Sequence, residues 1–546
     1  MDRGMDAWAS SRVHTVLVQV LRELPHVARA RSACVCRAWR DAAHNPALWT
    51  ALCFGGEDVE DATALSDAAL ARLCARAGAT LRELRLLSSP KDTYENVTTA
   101  GVLDALRSGD CVGVQRLVLE HPEFGLSGTQ ARQLAAACPV LELSAFRIDC
   151  DTEDDVAAAC ALPGPLELTF VELTDAARAV ALLPASVTTL CLYALDARVV
   201  EVLRSALRTN STLTQLYLNG RGSDHGEAAA TAMAEVLRTN VTLTELQLGS
   251  CIGDAGAVAL AGALRTNTAL TSLNVAHGDI TDAGVDAFGE ALRENATLKV
   301  LGLAGNRVYL AGAISLAGAL RTNSVLTKLN LNALFIGDEG VVAFADALKT
   351  NEGLKELLLW RNNAGVEGAT ALGAALRSNA TLTNLCFGDN GIGNAGAAAI
   401  GDALCTNTAL SSLDLGSCDI GCSGAAVLGM VLRMNSALKE LNLRRNGIAD
   451  FGVAVLGQGL RMNATLKSLN LGRNQFCDEG ATALGEELRS NSTLTELNLT
   501  RNNISAACSA ALREVQRVSA SLTSLILERE DDPHDSGDSE DSDDDE

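Results

Sequence analysis

The chain has 546 residues, 48% of them hydrophobic and 20% charged, which is too apolar for a disordered chain and long enough for several domains' worth of core. Its 44 basic and 67 acidic residues give a formal charge of −23, which argues against a general affinity for nucleic acid or anionic membrane. Only 3% of the residues are aromatic, against 47 glycines, so the core has to be built from small and aliphatic side chains in thin, closely stacked layers. The opening Met1–Asp6 is followed by no apolar stretch of the signal-peptide kind, and nowhere do about 18 uncharged apolar residues run together, so a cytoplasmic or nuclear protein is expected. The sixteen cysteines are dispersed and read as reduced, buried thiols. The closest pairs, Cys34/Cys36 and Cys418/Cys422, lack a second pair or nearby histidines, so no zinc site is expected.

Residues 1–56 form a separate module. Seven arginines against four acidic residues give the first 50 residues a charge of +3. Val16, Leu17, Val20, Leu21 and Leu24 have helical spacing, Pro25 interrupts it, and a second apolar group follows at Val35, Trp39, Leu48 and Trp49. Three short helices satisfy that pattern. With Leu24-Pro25, Val35-Cys36-Arg37, Trp39-Arg40 and Leu48-Trp49 at their spacing, the segment resembles an F-box. It departs from that pattern where Ser11-Arg12 replace the usual Leu-Pro, and where Ala28-Arg29-Ala30-Arg31 lacks the common acidic-aliphatic step. The resemblance implies docking on the Skp-type adaptor of a cullin-RING ubiquitin ligase, with Val20, Leu21, Leu24, Pro25, Val35 and Trp39 as the apolar contacts.

From 57 to 209 the chain carries echoes of a pattern that becomes regular further along, at Leu81/Leu84/Leu86, Val114/Leu117/Leu119, Leu141/Leu143, Leu166/Leu168 and Val187/Leu190/Leu192. These read as degenerate repeats. Between 210 and 527 the pattern is regular, and Asn267, Asn295, Asn323, Asn351, Asn379, Asn407, Asn435, Asn463 and Asn491 stand 28 residues apart. With Asn210, Asn240 and Ser519 in equivalent places there are twelve units. In each, Leu466, Leu469 and Leu471 or their equivalents start a strand, and Ala481, Leu484 and Leu488 have the spacing of one helical face.

Asp254, Asp282, Asp338 and Asp478 stand where a helix N-cap oxygen is expected, and the Arg-x-Asn ending suits a left-handed C-cap. Small pairs such as Gly256-Ala257 and Gly480-Ala481 are expected to let the helix approach the strand layer. Asn306, Asn362, Asn390, Asn446, Asn474 and Asn502 are expected to satisfy turn backbone, with Cys251 and Cys418 as buried substitutes. Neither half of a unit can bury its apolar face alone, so the units must stack into an α/β solenoid. The L-x-x-L-x-L-x-x-N/C motif with its long helical half resembles the leucine-rich repeats of the ribonuclease-inhibitor subfamily. That resemblance implies a horseshoe with parallel strands inside and helices outside. The Asn-x-Thr sequons at Asn210, Asn240, Asn295, Asn379, Asn463 and Asn491 are by-products of the repeat.

No catalytic motif of the H-E-x-x-H, G-x-x-x-x-G-K-[ST] or G-x-S-x-G kind occurs, and neither catalysis nor a cofactor is expected. The concave surface is where a protein partner is expected. Counted from the first strand leucine, the third, fifth, seventh and eighth positions are spared by the core. They hold Tyr217, Leu358, Trp360, Arg361, Arg444, Arg445, Arg473 and Arg501, a composition suited to an acidic or phosphorylated partner. An F-box ahead of such repeats implies the substrate-recognition subunit of a Skp-cullin-F-box ligase. Two alternatives are a Ran-type GTPase-activating protein, which shares the repeat and an acidic segment, and a scaffold whose F-box no longer functions. Residues 528–546 hold twelve acidic residues and one arginine and are expected to stay disordered. There Ser542 precedes Asp543, Asp544 and Asp545 as a site for an acid-directed kinase, after which Ser539 and Ser536 would follow in turn.

Overall fold

In a computed structural model of the chain the described residues are 187–192, 197–218, 225–249, 251–519 and 521–527, with strands at 51–54, 83–87, 116–120, 125–126, 147–148 and 166–170. The expectations for Val20, Leu21, Leu24, Pro25, Val35 and Trp39, for Leu141 and Leu143, and for Ser536, Ser539 and Ser542 lie outside them. The chain divides into two compact units, residues 1–225 with 239–247, and residues 226–238 with 248–546.

In the first unit Ala51–Phe54, Glu83–Leu87 and Arg116–Glu120 pair in parallel in that order. Leu166–Phe170, Val187–Leu192 and Gln215–Leu218 do the same, with the helix Ala197–Leu207 between the last two. The strand at Ala51–Phe54 departs from the purely helical expectation for residues 1–56. Four apolar residues are too few for a helix, but their backbone groups are satisfied by pairing with Glu83–Leu87.

In the second unit ten three-residue strands, from Ser272–Asn274 to Ser524–Ile526, alternate with helices of 11–13 residues. Each strand pairs in parallel with the next one repeat on, as in Leu273↔Leu301, Leu441↔Leu469 and Leu497↔Leu525. Leu466, Leu469 and Leu471 are fully buried and meet the buried Ala481, Leu484 and Leu488 of the helix. Each leucine removed from water in this way contributes about 1.5–3 kcal/mol. Among the described residues no helix is long and apolar enough to cross a membrane.

The polar columns differ from expectation in instructive ways. The C-cap is not left-handed: Arg489 stays right-handed at φ −60 and Asn463 is extended at φ −79, ψ 134. The asparagine side chain ends the helix instead. Asn463 Nδ2 donates to the Leu432 carbonyl of the preceding unit at 2.7 Å, and its Oδ1 accepts from Leu466 N at 2.7 Å. The aspartates do not cap their own helices either. Asp282 is the first residue of a helix capped by Thr281, and its Oδ1 accepts from Tyr309 N of the next unit at 2.8 Å. Asp254, Asp338 and Asp478 reach forward in the same way to Thr281, Gly365 and Ser505, because a side chain in the first helical turn projects towards the neighbouring helix start.

The small residues follow from that. A Cβ on Gly256 would lie 2.7 Å from Ala230 Cβ, and one on Gly480 would lie 2.6 Å from Asp450 Oδ1, so these glycines clear the preceding helix and its cap rather than the strand layer. The turn asparagines act as expected. Asn306 Nδ2 donates to Val275 and Leu303 carbonyls, and its Oδ1 accepts from Gly278 and Ile280 N–H at 3.0 Å. Cys418 is buried in that column with Sγ 3.4 Å from Phe387 O. Cys251 is exposed, against expectation, because its backbone rather than its thiol packs on the preceding unit at Gly226.

Candidate partner-binding surface

On the sheet face turned away from the helices, the third and fifth strand positions alternate with buried leucines. Much of this face is engaged across strands. Lys328 Nζ lies 2.9 Å from Glu356, Ser412 Oγ donates to Glu440 at 2.9 Å, and Asn442 Nδ2 donates to Asp414 at 2.9 Å. The fifth-position amides and carboxylates also fold back on the chain, since Asn442 accepts from Arg444 N and Asp414 from Gly416 N. These side chains hold the strand ends in register.

The eighth position has a property that spacing does not reveal. His277, Gly305, Ala333, Arg361, Asp389, Ser417, Arg445, Arg473 and Arg501 all have positive φ, between 53 and 66. From His277 to Arg473 this left-handed kink aims the N–H at the next unit, as in Arg445 N to Gly472 O and Arg473 N to Thr500 O, both at 2.8 Å. A residue with a Cβ is strained there by about 1–2 kcal/mol. Four of the arginines expected to bind a partner therefore stand where glycine would fit the backbone better.

The anticipated residues separate into groups. Tyr217 lies in the first unit, half-buried in Gln215–Leu218 beside Cys191. Leu358 is half-buried between Asn330 and Cys386. Trp360 is 37% exposed, and the Arg361 guanidinium stands 5.8 Å from its ring while also lying 3.8 Å from Asp389. Its Cδ1 lies 3.1 Å from where a Gly388 Cβ would be, so the indole rests over that glycine. Of the anticipated arginines, Arg361 is the neighbour of Trp360. Gly388 and Gly416 occupy the seventh position between Trp360 and Arg444, three strand steps or about 14 Å away.

Arg444, Arg445 and Arg473 form the second group. Among the described residues none of the three makes an ion pair. Arg473 Nε is cut off from solvent without a hydrogen-bond partner among them. Partial burial, followed by repulsion from Arg473, Arg445 and Arg501, holds Arg444 below the usual guanidinium range. Cations crowded in this way gain from any anion that enters. A further exposed group was not anticipated: Tyr309 and Phe335 stack with centroids 6.1 Å apart, beside the exposed Leu310 and Ile314. They come from adjacent units at non-equivalent positions, so repeat alignment conceals them. Among the described residues no cluster of three His, Cys, Asp or Glu side chains could hold a metal ion.

Comparison with known proteins adds family content to this geometry. Residues 14–55 match the F-box-like family, and residues 239–261, 266–289, 378–401, 406–429, 435–457, 463–485 and 490–507 match the leucine-rich repeat. The chain is similar to the F-box protein SNE of Arabidopsis thaliana, at 46% identity over 41 residues, 8% of this chain and 26% of that protein. It thus spans about a quarter of the length of this relative. A solved structure of actin-binding site 2 of leiomodin-1 aligns at 28% identity with a TM-score of 0.22, covering 23% of this chain and 76% of that one. The chain thus joins a segment that matches the F-box-like family to stacked units that match the leucine-rich repeat.

Proposed function

We propose that this chain is the substrate-recognition subunit of a Skp-cullin-F-box ubiquitin ligase. The F-box-like segment would dock on the Skp-type adaptor through Val20, Leu21, Leu24, Pro25, Val35 and Trp39. The open sheet face would hold a protein partner, and no catalytic step is assigned to the chain itself. The observation that carries this reading is the joining, in one chain, of an F-box-like match at 14–55 to a repeat array with exposed Trp360 and three arginines without an ion pair among the described residues. Crowded guanidinium groups favour an acidic or phosphorylated partner, because paired N–H donors fit carboxylate and phosphate oxygens.

The test is retention of a purified Skp-type adaptor at micromolar concentration by the full chain. Leu24→Ala with Trp39→Ala should abolish retention. Deletion should stop at residue 50, since Ala51–Phe54 pairs with Glu83–Leu87 and its loss would bare a sheet edge. The shortened chain should keep the circular-dichroism signal of the array, because solenoid stability is roughly a sum over neighbouring units. Absence of adaptor binding by the intact chain would sink the ligase reading and leave a repeat scaffold.

A further inference from the structure

The cluster of Arg444, Arg445 and Arg473 lies close to where the described repeats end. Hydrogen bonds step from Arg445 N to Gly472 O, from Arg473 N to Thr500 O, and from Leu499 N to Ile526 O in the last strand, each crossing one strand spacing. Ile526 is therefore about 10 Å from the Arg473 loop and about 14 Å from that of Arg445. Two residues past Ile526 begins the segment 528–546, whose twelve acidic residues against one arginine give it a net charge of −11. Four or five extended residues would cover the distance. The cluster is thus a set of cations without an ion pair among the described residues, one of them with an unpartnered Nε, within easy reach of the most acidic segment of the chain.

We propose that residues 528–546 bind in cis to Arg444, Arg445 and Arg473, and that phosphorylation at Ser542, Ser539 and Ser536 tightens this contact, so that the segment competes with an acidic partner for the face. The proposal rests on reading that face as the partner surface. Tethering makes the contact intramolecular, so a weak affinity suffices for high occupancy. Each phosphate adds about −1.5 to −2 charges and offers oxygens that a guanidinium can engage bidentately. Ser542 is followed by Asp543, Asp544 and Asp545, and Ser539 and Ser536 each lie three residues before the next serine, so each phosphate supplies the downstream acid for the one before it. A graded modification would then set a graded occupancy of the cluster.

The test uses full-length chains and a labelled synthetic peptide of residues 528–546, unmodified or phosphorylated on the three serines, with binding read by fluorescence anisotropy. A full-length chain whose acidic residues in 530–546 are replaced by Asn and Gln should bind the unmodified peptide. It should bind the phosphopeptide about tenfold more tightly, and added salt should weaken both. The wild-type chain should bind either peptide several-fold more weakly, because its own segment competes. In the neutralised chain, Arg444→Ala, Arg445→Ala and Arg473→Ala together should cost at least about tenfold. Arg377→Ala, which removes a distant exposed cation at a helix end, should change nothing. Circular dichroism on each variant checks the fold, and single Arg→Gln changes replace any variant that melts early. Equal binding by the wild-type and neutralised chains at low salt would overturn the proposal. So would equal losses from Arg377→Ala and the cluster variants, since attraction would then be to net charge alone. These outcomes do not involve the adaptor, so they stand apart from a failure of the ligase reading.

Discussion

Asp450 Oδ1 accepts a hydrogen bond from the backbone N–H of Cys477, one repeat further on, at 2.8 Å, and a second from Gly480 N at the same distance. The cap of one helix is thus supplied by the helix before it. Burial works against the charge on Asp450, but the donors from Cys477 and Gly480 outweigh it and hold the carboxyl below the usual carboxylate range. A depressed folded-state pKa means the charge stabilises the fold above the unfolded carboxyl's pKa, about 3.9, and that this contribution is lost as pH falls through the lower folded value. Asp450→Ala should cost about 1–2 kcal/mol at neutral pH, as a lost N-cap does. Asp450→Asn should keep most of the cap, since Asn394 makes the same pair of bonds to Gly421 and Gly424, and should flatten the acid limb. Urea titrations at neutral pH and near pH 3 check both. An Asp450→Ala variant as stable as the wild type would show that the cap carries no weight.

Glycine positions separate by surroundings. Gly262, exposed within Gly253–Leu264, has nothing within 4 Å of an added Cβ, so Gly262→Ala should stabilise by up to about 1 kcal/mol through helix propensity. Gly459 sits equally inside a helix, but its Cβ would run into the Gly429 carbonyl of the preceding unit. Gly459→Ala should destabilise, with melting temperatures moving in opposite directions for the two variants. A shift of the same sign in both would refute the close-approach explanation.

Thiol reactivity should follow burial. Burial, then Asp414, pushes the Cys386 thiol up to about 11, and burial pushes Cys418 to about 12, so neither forms appreciable thiolate at neutral pH. Among the described cysteines, iodoacetamide followed by peptide mass mapping should label the exposed Cys251 first and Cys418 only after denaturation. Early labelling of Cys418 would mean that its turn opens readily.

Arg445 allows recognition to be separated from stability. Its φ of 57 suits glycine, so Arg445→Gly should leave the melting temperature unchanged or slightly raised while removing the guanidinium. Against an acidic partner, Arg445→Gly and Trp360→Ala should each cost about 2 kcal/mol or more. The arginine loss should shrink with added salt and the tryptophan loss should not. Unchanged affinity in both variants, measured by calorimetry, would move the site to another surface such as the Tyr309–Phe335 patch.

The strand and helix of each unit were legible because Leu469 and Leu471 alternate at period two behind Leu466 while Ala481, Leu484 and Leu488 repeat along a helical face, and burial enforces both. The aspartate column and the helix-ending asparagine column were visible as columns, but their roles were misassigned, whereas the turn asparagines acted as expected. Spacing within a unit cannot distinguish a carboxylate that serves its own helix from one that serves the next. The left-handed eighth column was hidden for a related reason: only Gly305 among its nine residues carries the sequence signature of positive φ. Trp360 and Arg361 are neighbours in sequence and stay neighbours in space, whereas Arg444 stands three strand steps away with Gly388 and Gly416 between.

The bonds across each joint run in both directions. An aspartate or asparagine reaches forward to cap the following helix, as Asn394 does for Gly421, and a later asparagine reaches back to the last carbonyl of the helix before it, as Asn295 does to Leu264. A unit cut at both ends therefore lacks a cap at each. Growth by tandem copying escapes that difficulty, because a whole 28-residue period inserted between two joints arrives with one forward acceptor and one backward donor already in place. Half a period would put both out of register with their partners. A lineage of such chains is thereby steered to lengthen and shorten in complete periods, and the area of the open sheet changes by one strand at a time.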